Sequence, residues 1–385
     1  NAPVIKTEGL PSGTTMEQVV FNEANKTWDA GTEYSYVAGT GSNDNTASKW
    51  ANARVTKDGV ESYFVWIPRY AYRIIYFDSA ESKKAYQEGA LTEERAVADG
   101  QIIGYSDSRG IVDAQGRRIE SVTSASNTTH TMVSEDYFMV HPAFENGTTT
   151  NFENGEWKEE LAGIWIGKFE ASSVEGNSGK LDEDNVTTKT VQTIPGVESW
   201  TYISVGNMYT NAFNYSRELE SHMLKNSEWG AVAYLTESKY GRNGTEVTSA
   251  GSLTGGGTGT AYADTNTNQS STGNAYGVYG LNFGFNEYVA SYYNGRLGYG
   301  SSFADGTSDE YSTAYDTTGY KYGDATYETA RWHLDSAYFP DSDLSFFERG
   351  GDGGYGATYA GVFAFSDRDG RYYLNRTFRL ALCVE

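Results

Sequence analysis

The sequence predicts an α+β fold with many short strands, few helices and long loops. Tyr, Thr, Gly and Asn are frequent, Pro is scarce at 6 residues, and the apolar runs are short. Aromatic and β-branched residues favour strands, and the polar residues between them favour turns. Of the 385 residues, 38% are hydrophobic and 15% are aromatic, so the chain can bury a substantial core.

The charge balance excludes several classes of partner. The chain carries 29 Lys and Arg residues against 51 Asp and Glu, a net charge of −22. Such a charge repels phosphate backbones and anionic lipid, so we expect no nucleic-acid partner. No apolar run reaches the ~18 residues that a membrane span needs. Because the chain begins at Asn1 rather than Met, we expect a leader or anchor upstream, and membrane attachment only through it.

The organisation along the chain begins with a predicted strand-rich N-terminal region over residues 1–60, followed by one larger domain over 61–385. The most strand-like segment is 62–77, where Pro68 suits an edge or a bulge. A second strand, with a similar mixture of aromatic and branched apolar residues, is predicted over 163–171.

Two insertions and one helix are predicted within the larger domain. Residues 78–160 are charged and turn-rich, and we expect an excursion there with one short helix around 83–97. Apolar residues recur at helical spacing over 216–241, which Gly241 can end. The Gly-, Ser-, Thr- and Asn-rich stretch 242–274 is expected to be a surface loop.

Cysteine and histidine are too few for the common metal sites. Cys383 is the only cysteine, and there are 4 histidines, which excludes an internal disulfide framework and a Cys-based zinc site. His222 and Glu228 are six residues apart, unlike a metal pair on one helical face, so surface or helix-start roles are expected. Cys383 lies in an apolar alternation that predicts a core strand with an inert thiol.

The motifs of common enzyme active sites are missing from the sequence. No GxSxG nucleophile elbow, phosphate loop or dinucleotide fingerprint occurs in a strand-turn-helix context. The paired carboxylates, such as Glu159 and Glu160, have no motif that would fix a partner for acid-base chemistry. We therefore expect a solvated acidic surface and no catalytic activity.

Five segments in order resemble one known pattern. They are GIWIGKFE (163–170), NSEWGAVAYL (226–235), NAYGVYGLNFGFNEYV (274–289), FERGG (347–351) and FRLAL (378–382). Together they resemble the C-type-lectin-like fold in the version shared by formylglycine-generating, sulfatase-modifying proteins. The resemblance covers about 220 residues and implies that the first and last of these segments share a sheet.

A closer resemblance is to a group of cell-surface proteins of Gram-positive bacteria. It is carried by FVWIPRY (64–70), HMLKNSEWGAVAYL (222–235) and the C-terminal RGG…AGVFAF…FR stretch (349–379). Such proteins usually begin with a pilin-like leader. The C-terminal stretch also resembles the variable region of proteins diversified by retroelements, whose lectin-like scaffold displays hypervariable side chains.

The chain departs from the formylglycine-type pattern at Gly280, Asn286, Tyr288 and Thr377. These changes remove an acidic side chain from the family's calcium site. Glu287 remains as one oxygen ligand, whereas calcium needs several. We therefore expect no metal cofactor, with calcium at Glu287 as the alternative.

Codon arithmetic tests the retroelement resemblance. Adenine-specific mutagenesis of Asn codons cannot produce Lys, Glu, Gln, Met or Trp, and these five types supply 62 of the 385 residues. Residues 350–384 contain none of them. Residues 251–286 contain only Gln269, so glycine-rich loop composition remains an alternative explanation for both stretches.

The resemblance implies a variable ligand-binding region over 345–385. Strands over 349–351, 360–365 and 378–382 would form its constant framework, and the side chains between them would point outward. The candidate ligand-binding residues are Asp352, Gly353, Tyr355, Thr358, Tyr359, Ser366, Asp367, Arg368, Asp369, Arg371, Tyr372, Tyr373, Asn375 and Arg376. Tyr and Arg are enriched among energetically important binding residues.

The resemblance therefore implies a non-catalytic binding or adhesion protein on the bacterial cell surface. Its expected partner is a protein or a glycan on another cell, a host or a phage. One alternative is a formylglycine-generating type of enzyme, which would need more thiols than Cys383 alone supplies. Another is a structural minor pilin or a phage receptor-binding protein on the virion.

Overall fold

The structure, a computed structural model, describes most of the chain. The described residues are 1–39, 47–77, 101–105, 111–112, 118–119, 130–132, 139–147, 152, 154–176, 189–248, 261–263, 266–282, 284–293, 309–316, 321–326, 328–330, 332–351 and 359–384.

Strands predominate over helices in these residues. The strands are β1 Thr14–Asn22, β2 Thr27–Ala30, β3 Asn52–Lys57, β4 Val60–Pro68, β5 Ala71–Phe77, β6 Gln101–Tyr105, β7 Ile111–Val112, β8 Arg118–Ile119, β9 His130–Met132, β10 Met139–Val140, β11 Gly163–Gly167, β12 Ser172–Ser173, β13 Val191–Gln192, β14 His222–Met223, β15 Asn286–Tyr293, β16 Thr313–Tyr315, β17 Phe346–Gly351, β18 Ala360–Arg368, β19 Arg376–Thr377 and β20 Leu380–Leu382. The α-helices are α1 Val205–Phe213 and α2 Asn226–Glu237, and 3-10 turns span Pro142–Phe144, Arg217–Leu219, Thr267–Gln269 and Trp332–Leu334. The class is mixed α and β, as predicted.

The first sheet has seven antiparallel strands in the order β14-β20-β11-β4-β3-β1-β2. At its centre, Trp165 of β11 lies opposite Trp66 of β4 on one side and Leu382 of β20 on the other. The predicted pairing of the strands at 163–171 and 378–382 is therefore confirmed. The closing strand of the chain completes a sheet that begins at residue 14.

Both faces of this sheet are buried, because side chains alternate between two hydrophobic clusters. Ile164 and Ile166 enter the cluster that contains α2, whereas Trp165 enters the cluster that contains α1. The same alternation places Cys383 on the α2 side and Leu382 on the α1 side. A period of two residues along a strand produces this division.

The predicted boundary at residue 60 does not separate two sheets. β3 and β4 form a hairpin across it, with Lys57 opposite Val60, so the N-terminal strands belong to the first sheet. The single strand predicted over 62–77 is two strands. β4 ends at Pro68, which lacks a backbone N–H, and β5 begins at Ala71 in another sheet.

The second large sheet contains β16, β15, β17 and β18, and β19 adds to β15. The register between β17 and β18 shifts after Arg349, because Arg349 lies opposite Phe365 but Gly350 lies opposite Gly361. Gly361 has a φ of 147° at the shift, and a Cβ there would overlap the Asp335 carboxylate. This contact requires the glycine of the AGVFAF segment.

A buried ion pair connects the two sheets. Arg379, next to β20, donates from Nε to Glu287 Oε2 of β15 at 2.9 Å and from Nη2 to the other carboxylate oxygen. Arg379 Nη1 also donates to the carbonyl of Gly167 in β11 at 2.9 Å. Both charged side chains are inaccessible to solvent. The guanidinium therefore bonds to the first and second sheets at once.

The helix predicted over 216–241 is shorter in the structure. α2 begins at Asn226 because the Lys225 N–H donates to Glu228 Oε2 at 2.8 Å, which caps the first turn. Residues 217–223 form a 3-10 turn and β14 instead, and the helix ends at Glu237 rather than Gly241. All of its residues are buried.

The stretch 242–274 was predicted to be a surface loop, but part of it is buried. Ser270, Ser271 and Thr272 are fully buried, because their hydroxyls and backbone pair locally, as in the bond from Ser270 Oγ to Asn274 O at 2.6 Å. Local pairing of this kind lets a polar segment pack inside a fold. Residues 249–260 lie outside the described residues.

The structure describes only parts of the predicted excursion over 78–160. β6 and β9 pair with β5, and Phe144 and Trp157 pack in the α2-side cluster. The short helix predicted around 83–97 lies outside the described residues. No helix in the described part of the chain is long and apolar enough to cross a membrane.

We predict that Glu287→Gln destabilises the protein by about 3–5 kcal/mol, because it leaves the Arg379 charge buried without its carboxylate. The measurement is the free energy of unfolding in denaturant. The matched control is Glu17→Gln, which breaks the partly exposed Glu17–Arg54 pair and should cost less than about 1 kcal/mol. Equal losses in the two variants would contradict the role assigned to the buried pair.

Candidate functional site

A cavity of about 360 Å³ opens at the end of β18. It lies where three parts of the chain meet: the start of β15, the last three residues of β18 and the segment after the 3-10 turn at Trp332–Leu334. The lining residues are Asn286, Ser336, Tyr338, Tyr359, Ser366, Asp367 and Arg368.

Backbone hydrogen bonds hold the outer wall of the cavity against β18. Phe365 N donates to Ser336 O at 3.0 Å, and Tyr338 N donates to Phe365 O at 3.0 Å. Residues 336–338 thus run beside β18 as an added edge, with an isolated parallel bridge between Ala337 and Phe365. This placement directs Ser336 and Tyr338 to the same cavity as Ser366.

Two large aromatic side chains at the cavity are exposed. Tyr338 is 55% exposed and Tyr359 is 48% exposed. Most other aromatic residues of the described chain are in the clusters of the core. Exposed tyrosine beside a concave polar surface is typical of binding sites, because the ring offers area at little conformational cost.

A buried carboxylate supports the floor of the cavity. Glu348 of β17 is 1% exposed, and burial raises its pKa despite its cationic neighbours. It accepts from Arg376 Nε at 2.6 Å and from Ser366 Oγ at 3.2 Å, and it lies 3.7 Å from Arg368 Nε. These contacts fix the direction of Ser366 and restrain Arg368 at the cavity.

A second buried carboxylate holds the wall segment. Asp335 accepts from Phe363 N of β18 at 2.9 Å and is 4% exposed. Burial, and then the nearby carboxylate of Glu246, raise its pKa to about 8 against the opposing effect of His333. His333 in turn contacts Glu237 at 2.9 Å and Glu246 at 3.5 Å. This cluster links α2 to the segment that carries Ser336 and Tyr338.

The structure places four of the predicted binding residues at the cavity, namely Tyr359, Ser366, Asp367 and Arg368. Four others lie outside the described residues: Asp352, Gly353, Tyr355 and Thr358. Asp369, Arg371, Tyr372, Tyr373 and Asn375 lie beyond the end of β18, and all are partly or fully exposed. Asp369 accepts there from Tyr373 Oη at 3.1 Å and from Arg371 N at 3.1 Å.

Arg376 was predicted to point outward, and this prediction is wrong. It is 4% exposed, because its guanidinium pairs with the buried Glu348. Its role in the described structure is to support the cavity floor. Sequence alone does not distinguish a surface cation from one whose buried acidic partner lies on another strand of the same sheet, as Glu348 does here.

Three cavity residues were missed by the sequence reasoning: Asn286, Ser336 and Tyr338. Asn286 was noted only as a departure from a tryptophan position, although a small polar residue there is a signal for open space. Ser336 and Tyr338 reach the cavity through an added strand edge more than twenty residues before β18. No local pattern in their segment indicates that pairing.

The predicted surface role of His222 and Glu228 is wrong, because both are fully buried. His222 Nε2 lies 2.7 Å from Glu228 Oε1, and His222 Nδ1 lies 2.8 Å from the Glu220 carbonyl, so Nδ1 carries a proton. The helix-start role of Glu228 is confirmed. The pair connects β14, which contains His222, to the first turn of α2, which contains Glu228.

Cys383 is 1% exposed, as expected for a core strand, but its surroundings are not purely apolar. Its sulfur, His222 and Glu228 offer ligand atoms that lie within 4.8 Å of one another. Both imidazole nitrogens already have partners, and the nearby Lys225 ammonium repels a cation. This arrangement is better suited to a buried structural cluster than to a metal centre.

Glu287, the candidate calcium ligand, bonds through both carboxylate oxygens to Arg379. Calcium binding there would have to break this pair, and the calcium role stays a prediction. Close by, burial raises the pKa of Glu170 to about 7, with the charge of Glu287 adding to the effect.

Comparisons with known proteins do not assign the chain. No protein-family model matches it, and no curated protein matches it. Its chemistry is therefore inferred from its own residues and geometry.

We predict that the free energy of unfolding falls as the pH rises from 5 to 8, and that Asp335→Asn makes this fall smaller. Because the pKa of Asp335 is about 8 when folded and about 3.9 when unfolded, the folded state binds more protons over this range. The free energy of unfolding of the native protein should then fall as pH rises. Asparagine keeps an acceptor for Phe363 N and does not titrate.

The measurement is denaturant unfolding of both proteins at pH 5 and pH 8. The variant should gain at least about 1 kcal/mol relative to the native protein at the higher pH. Glu8→Gln, which changes an exposed carboxylate in the same way, is the control and should show no such gain. A parallel pH dependence of all three proteins would refute the burial of a proton at Asp335.

Proposed function

We propose that this protein is a non-catalytic ligand-binding protein and that the cavity at the end of β18 is its binding site. The observation that carries the proposal is the convergence of Tyr359, Ser366, Asp367 and Arg368 on a cavity of about 360 Å³. These residues were singled out as contact positions from the sequence alone. A cavity of this size is in the range of small-ligand sites.

The division between supporting and exposed side chains favours binding. Glu348, Arg376 and Asp335 are buried. Glu348 pairs with Arg376, and Asp335 accepts from Phe363 N of β18, so these residues give a rigid base. Tyr338 and Tyr359 are exposed and can be changed at little cost to the base. A rigid scaffold with adaptable surface side chains lowers the entropic cost of binding.

We further propose that the scaffold is C-type-lectin-like and that a retroelement diversifies its C-terminal region. The order of the five sequence segments and the pairing of β11 with β20 support the scaffold proposal. The stretch without Lys, Glu, Gln, Met or Trp spans residues 350–384 and carries four of the seven cavity residues. Diversification of that stretch would change the ligand and keep Glu348 and Asp335 unchanged.

The proposed partner is a protein or glycan on another cell, a host or a phage, met outside the cell on a bacterial surface. A virion location is the alternative for the same site. The net charge of −22 supports partners that are not polyanions.

We predict that changing Tyr338 and Tyr359 together to Ser weakens binding by about two orders of magnitude, because truncation of each aromatic contact costs about 1–2 kcal/mol. The melting temperature should change little, since both side chains are exposed. Binding would be measured on arrays of immobilised glycans and of purified cell-surface protein ectodomains.

Tyr34→Ser is the matched control, because Tyr34 is 38% exposed and does not line the cavity. It should bind as the native protein does. The proposal fails if the native protein binds neither array, or if the double variant stays folded and binds with undiminished affinity.

A further inference from the structure

The cavity contains a buried amide that has no partner. Asn286 is 6% exposed and lines the cavity, and its side chain makes no hydrogen bond to any described residue. Its backbone N–H donates to Asn375 O at 3.2 Å, which fixes the residue at the start of β15. A buried amide offers one acceptor and two donors, and leaving them unpaired is costly unless a ligand or water meets them.

Ligand hydroxyls match this amide, because a hydroxyl both donates and accepts. Ser336 adds a further hydroxyl to the lining, and Asp367 adds acceptors. Planar amide and carboxylate groups can each bond to two neighbouring hydroxyls of one molecule. The polar part of the lining therefore fits a ligand with several hydroxyl groups.

The rings of Tyr338 and Tyr359 provide the apolar part of the lining. Tyr338 is 55% exposed and Tyr359 is 48% exposed, so part of each side chain is accessible to a ligand. The face of a tyrosine ring packs well against C–H groups, while its hydroxyl stays available for hydrogen bonds. A pyranose ring presents an apolar face of C–H groups, which can pack on a tyrosine ring, and equatorial hydroxyls, which can bond to the tyrosine hydroxyl.

The charges at the cavity oppose an ionic ligand. Arg368 Nη1 donates to its neighbour's carbonyl, Asp367 O, at 2.9 Å, and Arg368 Nε lies 3.7 Å from Glu348. Glu348 is paired more closely with Arg376, so Arg368 keeps its positive charge in the lining, and Asp367 contributes one negative charge beside it. An anion would be repelled by Asp367 and by the overall charge of −22, and a cation would meet Arg368.

We infer that the cavity binds an uncharged saccharide unit, such as a neutral hexose or N-acetylhexosamine at the end of a glycan. This inference rests on the proposed binding function and narrows the ligand to one chemical class. Asn286 and Asp367 bond to the sugar hydroxyls, and Tyr338 and Tyr359 pack on its ring. No metal ion takes part in these contacts.

The test uses the full chain and methyl glycosides of glucose, galactose, mannose and N-acetylglucosamine as probes. Saturation-transfer NMR and calorimetry should detect at least one of them, with a Kd on the order of 1 mM or tighter. Raising the salt from about 50 mM to about 500 mM should change this Kd less than about twofold, because the ligand is uncharged.

Asn286→Leu should weaken binding of that glycoside at least tenfold. Ser336→Ala removes the hydroxyl of a partly exposed residue, is expected to stay folded and should weaken binding about threefold; it keeps the test decisive if the Asn286 variant does not fold. Tyr34→Ser should bind as the native protein does. Thermal melts of all variants show which of them are folded.

Two results would overturn the inference. One is binding only of charged probes, methyl glucuronide or N-acetyl-lysine amide, with strong salt dependence. The other is glycoside binding that persists in both the Asn286 and the Ser336 variants. If ectodomains bind through Tyr338 and Tyr359 but no neutral glycoside binds, the saccharide inference fails and the proposed function survives. If neither binds, both fail.

Discussion

The bidentate pair between Arg379 and Glu287 is the interaction on which the rest of the structure depends. It is fully buried, and Arg379 also donates to Gly167 O and Tyr279 O. One guanidinium thus joins β11 in the first sheet, β15 in the second and the loop before β15. Its burial is tolerable only because every one of these acceptors is in place. The arrangement fixes how the two sheets are positioned relative to each other.

The cavity depends on this arrangement because two of its sides belong to the second sheet. Asn286 precedes Glu287 in β15, and β17 lies between β15 and β18. Glu348 in β17 then positions Ser366, Arg368 and Arg376. Buried ionic contacts thus lie beneath the cavity, and the exposed rings of Tyr338 and Tyr359 line it, so changes to either tyrosine need not disturb the ion pair. This separation is the physical basis for proposing a site that can change its ligand.

The sequence was informative where local pattern determines structure, and it was silent where distant segments meet. Local residue pattern predicted β11 and β20, the family resemblance implied the strand at β18, and helical spacing predicted a helix over 216–241 that contains the shorter α2. The break after Pro68 was missed, although proline is a local signal for it. Arg376 was wrongly assigned to the surface, because its partner Glu348 lies 28 residues earlier in the chain. The cavity wall at Ser336 and Tyr338 depends on backbone pairing with Phe365, which no side-chain pattern reveals. Four of the seven cavity residues could be predicted, and those four lie on or next to one strand.

The most direct test of this account is amide hydrogen exchange in the native protein and in Glu287→Gln. The account predicts that protection falls together at Ala171, whose N–H bonds to Phe378 O, at Ala290, whose N–H bonds to Leu224 O, and at Phe365, whose N–H bonds to Ser336 O at the cavity wall. Such a joint loss would follow from opening the contact between the sheets. Loss of protection confined to β15, with Ala171 and Phe365 unchanged, would contradict the claim that one ion pair supports both the scaffold and the site.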